Sequence, residues 1–124
     1  MSFHPAVPIL RSFDEARAKE FYVGFLGFTV DFEHRFEPDM PLYMGISRGA
    51  CRIHLSEHFG DAAPGARVRI EVDDVRALCA VLVAKASRNA RPGCDDMDWG
   101  ATEMTIHDPF GNRLTFWSPL PPRA

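Results

Sequence analysis

The chain has 124 residues, 46% of them hydrophobic and 25% charged, which suits one domain with a modest core, or two very small halves sharing a sheet. A formal charge of −3 and a pI near 5.9 exclude a nucleic-acid backbone as the main partner, because phosphate binding needs a basic surface. No apolar run approaches the roughly 18 residues of a membrane span, and the opening MSFHPAVPIL lacks the basic and apolar regions of a signal peptide, so a cytoplasmic location is expected.

In chain order, Ala6–Leu10 reads as a strand that Pro8 restricts to a sheet edge or to an exchanged position. Ser12 and Glu15 have capping-box spacing, which predicts a helix start there. The helix runs through Phe21, Tyr22 and Phe25 to Leu26 and ends at Gly27. From Phe28 to Phe36 the apolar residues Phe28, Val30 and Phe32 alternate with Thr29, Asp31 and Glu33, the period of a strand. Leu42–Ile46 and Cys51–Leu55 read as the next two strands, with a hairpin turn over Ser47–Gly49.

Residues 59–65, with Gly60, Pro64 and Gly65, form the linker between a first module of about 1–58 and a second of about 66–120. Val68, Ile70 and Val72 alternate as a strand, and Asp73 is placed to cap a helix bearing Val75, Leu78, Cys79, Leu82 and Ala86 on one face. A short strand is expected at Arg88–Arg91 and a polar loop at Cys94–Asp98. The chain closes with a hairpin, Thr102–His107 and Asn112–Trp117, turning through Asp108-Pro109-Phe110-Gly111. The element order is β-α-β-β-β, twice. Ala6–Leu10 overlays Ala66–Ile70, and Ile53-His54-Leu55 overlays Leu114-Thr115-Phe116. The expected fold is therefore α+β, with two βαβββ modules forming an incomplete curved barrel and the helices outside. Cys51, Cys79 and Cys94 are odd in number and lack a CxxC pairing, so neither a disulfide framework nor a structural zinc site is indicated.

The residues Ile9-Leu10-Arg11-Ser12-Phe13-Asp14, Phe21-Tyr22, Leu26-Gly27-Phe28, Trp99-Gly100 and Asp108-Pro109-Phe110-Gly111-Asn112 resemble the vicinal-oxygen-chelate superfamily of glyoxalases, ring-cleaving dioxygenases and antibiotic-resistance proteins. The AVPIL start and the WG before the last hairpin resemble its bleomycin-resistance branch. The resemblance covers nearly the whole chain and implies the glyoxalase/bleomycin resistance fold in a single domain spanning 1–124. It also implies a homodimer, often with an exchanged N-terminal strand. The superfamily's metal-ligand positions fall on Val7, His54, Arg67 and Thr115. Only His54 has a suitable donor there, since valine offers none and arginine carries a permanent positive charge. No metal and no other cofactor is expected.

Three strands alternate in the same sense. His54 and Ser56 face away from Ile53 and Leu55; Arg67, Arg69 and Glu71 from Val68, Ile70 and Val72; Arg113, Thr115 and Trp117 from Leu114 and Phe116. The polar sides are expected to line a concave sheet, with Trp99 and Trp117 stacking on a planar ligand and Phe32, Phe36 and Tyr43 completing an aromatic wall. The expected ligand-binding set is thus Phe32, Phe36, Tyr43, His54, Arg67, Trp99, Arg113, Thr115 and Trp117, with no catalytic residue. Arg67 and Arg69 suit a carboxylate on a ligand, or pairing with Glu71, Glu57 or Glu103. His54 suits a general base, a lone ligand or a hydrogen-bonding wall residue. Asp95, Asp96 and Asp98 form an acidic loop that would attract a cationic drug or simply be solvated.

These features favour a metal-independent small-molecule binding protein of the bleomycin-resistance type, with a bleomycin-like or other aromatic ligand. The alternative is a glyoxalase-like lyase or dioxygenase whose rearranged metal site uses His54 with His34, His107 or Glu103. A third reading is a structural or regulatory module whose cup is filled by its own side chains.

Overall fold

The computed structural model describes residues 1–85 and 91–120. The chain divides into two compact units, Met1–Pro64 and Gly65–Ala124. In the first, β1 (Ile9–Arg11) is followed by α1 (Glu15–Ala18), a π-helical continuation over Lys19–Phe25, and the strands β2 (Thr29–His34), β3 (Tyr43–Arg48) and β4 (Cys51–Ser56). The second unit carries β5 (Arg67–Glu71), α2 (Val75–Lys85), β6 (Asp95–Asp96), β7 (Ala101–His107) and β8 (Arg113–Pro119). The sheets have matching orders, β1-β4-β3-β2 and β5-β8-β7-β6. Each contains one parallel pair, β1 with β4 and β5 with β8, and its other pairs are antiparallel. The repeated β-α-β-β-β order is therefore repeated in space, as a four-stranded sheet in each unit.

In the first unit Asp14, not Ser12, caps the helix, its carboxylate accepting from Arg17 N at 2.8 Å. Ser12 is instead buried and donates its backbone N–H to Ser56 O, prolonging the β1–β4 pairing beyond Arg11. The π segment widens the turn, so that Leu26 N reaches Phe21 O at 2.9 Å. Phe21, Tyr22 and Phe25 are buried on it, as is Leu26 at its C-terminal cap. Gly27, at φ +78°, ends the helix as expected, and Phe28 N returns to Tyr22 O at 2.8 Å. Lys19 bridges Glu15 and Glu33, and Arg35 pairs with Glu15, tying the helix to β2 and the residue beyond it.

The first strand lies later than Ala6–Leu10 predicts, although Pro8 O still accepts from His54 N at 3.0 Å. It is an edge strand, which tolerates the missing N–H of Pro8. A second difference has larger consequences. Val30 pairs with Ile46 but Phe32 pairs with Gly45, so Asp31 is an extra residue in a β-bulge. One inserted residue reverses the facing of everything beyond it. Phe32 therefore leaves the face of Val30 and joins that of Gly45 and Tyr43, and Asp31 is held by Ser47 Oγ at 3.0 Å.

In the second unit α2 packs on β7 and β8, burying Val75 and Leu82 and half-burying Leu78 and Cys79. Its cap is Asp74, one residue later than expected, accepting from Ala77 N at 3.1 Å. Ser118 Oγ accepts from Val75 N at 3.1 Å and joins the helix start to β8. The supposed polar loop at Cys94–Asp98 contains a short strand, β6, because Thr102 Oγ1 and Arg76 both hold Asp96 and bring it onto β7. Ala86 and all but the last residue of the strand expected at 88–91 lie outside the described residues. The closing hairpin forms as predicted. Asp108 Oδ1 accepts from Phe110 N and Asn112 N, its Oδ2 accepts from Asn112 Nδ2, all at 2.8 Å, and Gly111 sits at φ +88°. Leu114 and Phe116 are buried in the core.

Candidate functional site

The polar face of the first sheet carries three aromatic rings in mutual contact. Tyr43 Oη lies 2.7 Å from His54 Nδ1. Phe32 stacks on Tyr43, with ring centroids 6.2 Å apart and planes 14° apart, and meets His54 edge-on at 5.2 Å. Tyr43 and His54 are themselves edge-on at 5.3 Å. The strands explain the grouping: Gly45 stands opposite both Phe32 and His54, and its missing side chain leaves the room that the Phe32 ring occupies. A Cβ on Gly45 would run into the Phe32 ring at Cε1. Burial, helped by the Asp61 carboxylate, raises the Tyr43 phenol above its ordinary value, so it remains protonated at neutral pH and can donate to Nδ1 of a neutral imidazole. Phe32 is about half exposed, with Tyr43 and His54 half-buried, so the cluster presents aromatic surface outward.

The polar face of the second sheet is ordered in three rows by its strand registers. Arg67 on β5, Arg113 on β8 and His107 on β7 form the first; Arg69, Thr115 and Thr105 the second; Glu71, Trp117 and Glu103 the third. Thr115 is fully buried, its hydroxyl 2.9 Å from Thr105 Oγ1 and accepting from Arg67 Nε at 3.2 Å. Glu103 is buried yet charged: its Oε2 accepts from Arg69 Nη2 at 3.0 Å and from Trp99 Nε1 at 2.8 Å. The Arg69 hydrogen bond, helped by Trp99 and outweighing burial, holds that carboxyl below the ordinary glutamate value. Arg69 also lies over the Trp117 ring, its guanidinium carbon 5.6 Å from the centroid.

Of the expected residues, Phe32, Tyr43 and His54 come together on the first sheet, and Arg67, Arg113, Thr115 and Trp117 on the second. Trp99 lies just before β7, largely exposed, and reaches the second group through Glu103. Phe36 lies two residues past β2, is 78% exposed, and makes no ring contact among the described residues. Of the two readings of Arg69, the pairing with Glu103 is the one found. Gly45 was missed as a site residue, though a glycine inside a strand pattern signals a close approach. The sequence signal for Glu103 is the alternation of Met104 and Ile106, which sets Glu103, Thr105 and His107 on the polar side.

The four carried-over metal positions are poor donors. Val7 has none, Arg67 is cationic and Thr115 offers a hydroxyl already shared with two partners. His54 has its Nδ1 engaged by Tyr43. No group of three or more His, Cys, Asp or Glu side chains is placed to hold a metal ion among the described residues. The residues at these positions do not fit a divalent metal. Nor is any described helix long and apolar enough to cross a membrane.

No curated protein matches the chain by sequence. Among solved structures, TnmS3, an antibiotic binding protein from Streptomyces sp. CB03234, is 24% identical with a TM-score of 0.76, over 96% of this chain and 98% of its own. A bleomycin-binding protein complexed with bleomycin is 22% identical with a TM-score of 0.71, over 94% and 98% of the two chains. A member of the glyoxalase/bleomycin resistance protein/dioxygenase superfamily from Sphaerobacter thermophilus DSM 20745 is 18% identical with a TM-score of 0.71, over 94% and 98%. At these identities the likeness establishes the fold, which is the α+β arrangement expected from the sequence. The family model described as glyoxalase superfamily protein matches residues 1–119, and the chain belongs to the glyoxalase superfamily.

Proposed function

We propose that this protein is a metal-independent small-molecule binding protein, taking a drug-like aromatic ligand on the polar and aromatic face of a sheet and performing no chemistry on it. The observation that carries the reading is the fate of the family's metal positions. Thr115, on the Trp117 strand, is fully buried and holds the exposed Arg67 by a hydrogen bond, so its expected ligand contact is replaced by an anchoring role, and the pair is unsuited to holding a metal. The partly exposed Phe32, Tyr43 and His54 cluster adds an aromatic surface of the kind that flat ligands stack on. The bleomycin-binding protein and TnmS3, which share the fold, support the ligand class.

The rearranged-metal alternative has weaker support, since Glu103 is held by Arg69 and Trp99 while His54 Nδ1 is engaged by Tyr43. A cytoplasmic homodimer, with the proline-flanked first strand exchanged between subunits, belongs to the same proposal. The edge position of β1 supports it, because an edge strand can be exchanged without dismantling the sheet. Light scattering should give about twice the 13.9 kDa chain mass.

Calorimetric titration with metal-free bleomycin in the presence of a chelator tests the ligand reading. Saturable heat at micromolar protein supports it, and a flat titration removes bleomycin from the ligand class.

A further inference from the structure

The first row on the second sheet is an arrangement that a sheet does not favour by itself. Arg67 and Arg113 stand directly opposite each other on the parallel strands β5 and β8, and His107 stands opposite Arg113 on β7. Like charges facing each other across strands are destabilising. Both arginines are exposed, and neither is paired with a carboxylate among the described residues. The Arg67 guanidinium spends Nε on Thr115 Oγ1, which anchors the group and leaves its two terminal nitrogens to other partners. The carboxylates of this face lie two rows away. Glu103 is occupied by Arg69 and Trp99, and Glu71 stands opposite Trp117. The face thus runs from a cationic end, through hydroxyls, to an indole and its acids, in a protein whose overall charge is negative.

From these placements we infer that Arg67 and Arg113 form an anion-binding subsite, and that the ligand of this face is a planar aromatic molecule carrying a carboxylate or similar oxyanion. Two guanidinium forks converging on one oxyanion offset the repulsion between them and supply charge-assisted hydrogen bonds. The aromatic portion of the same molecule lies toward Trp117. Trp117 lies four residues beyond Arg113 on β8, about 13 Å of strand. A small carboxylate therefore reaches only the arginines, whereas an elongated aromatic acid reaches both ends. The inference rests on the binding reading above and narrows its ligand class.

The probes are 1-pyrenebutyrate and its neutral amide, 1-pyrenebutyramide, titrated by fluorescence anisotropy into the intact protein. The acid is expected to bind about tenfold more tightly than the amide at low salt, and raising the salt should weaken the acid alone. Arg113→Gln, and separately Arg67→Gln, should weaken the acid much more than the amide and so erase most of the difference between them. Equal affinity of acid and amide overturns the anion subsite and leaves the binding reading standing. Failure of both probes to bind overturns the subsite and counts against the binding reading as well. Ligand-free stability gives an independent readout, because Arg113→Gln removes one of two facing charges. The variant should melt at or above the temperature of the parent, and a clearly lower melting temperature would show that Arg113 is structural and overturn the assignment.

Discussion

Phe32 and Gly45 face each other across β2 and β3, and the Phe32 ring fills the space that a side chain on Gly45 would take. The bulge at Asp31 turns Phe32 toward that space, and from there the ring reaches Tyr43 and His54. Gly45→Ala therefore forces the ring aside, since a Cβ would lie within 2.8 Å of three Phe32 ring atoms. Overpacking of this kind costs about 1–3 kcal/mol, and denaturant unfolding should show it. Gly45→Ala with Phe32→Ala should recover much of the loss, which separates crowding from strand propensity.

Tyr43 anchors His54 through the 2.7 Å contact at Nδ1. The phenol is raised by burial and stays protonated, so it can donate to Nδ1 in the tautomer that carries the imidazole proton on Nε2. Nitrogen-15 spectra of the ring should show Nδ1 as a hydrogen-bonded acceptor in the parent protein. In Tyr43→Phe that signature should vanish, with a stability loss of about 1 kcal/mol. An unchanged Nδ1 signal would show that Tyr43 does not hold the His54 ring.

Glu103 gives a pH dependence whose sign is fixed. Its folded-state pKa lies below the ordinary glutamate value, chiefly through the Arg69 hydrogen bond. The stabilisation it contributes is thus fully present above the ordinary value, about 4.3, and is lost as the pH falls through the folded value. Glu103→Gln should be less stable than the parent at neutral pH, and the two stabilities should converge as the pH falls below the ordinary glutamate value and through the lowered folded one. A gap that is constant from neutral to acid pH would mean that the charge of Glu103 contributes nothing.

The Asp108 turn is expected to be the most sensitive exposed-looking feature of the sequence. Its buried carboxylate accepts two backbone N–H groups and the Asn112 amide. Asp108→Ala leaves those donors without it, at a cost of about 2–4 kcal/mol, measured by thermal or denaturant unfolding.

That turn was fully legible in the sequence, because its chemistry is local: an acid, a proline and a glycine at fixed offsets. The repeated element order and the buried Leu114 and Phe116 were legible for a similar reason, through alternation along single strands. The caps moved by one or two residues because neighbouring residues compete for the same backbone donors, and Asp14 and Asp74 win over Ser12 and Asp73. The bulge could not be read from β2 alone. It is a relation between Asp31 and its partner strand, and the apolar alternation of Val30 and Phe32 points to the opposite facing. The Arg69 and Glu103 pair was visible only as one option among three, since register decides which acid meets which arginine. The facing of Arg67 and Arg113 depends on the same parallel register.

Metal independence is the central proposal, because the residues at the family's metal positions are poor donors. Elemental analysis of protein purified without a chelator tests it most directly. Far less than one nickel, zinc, iron or manganese ion per chain is expected, and near-stoichiometric content of any of them would contradict metal independence.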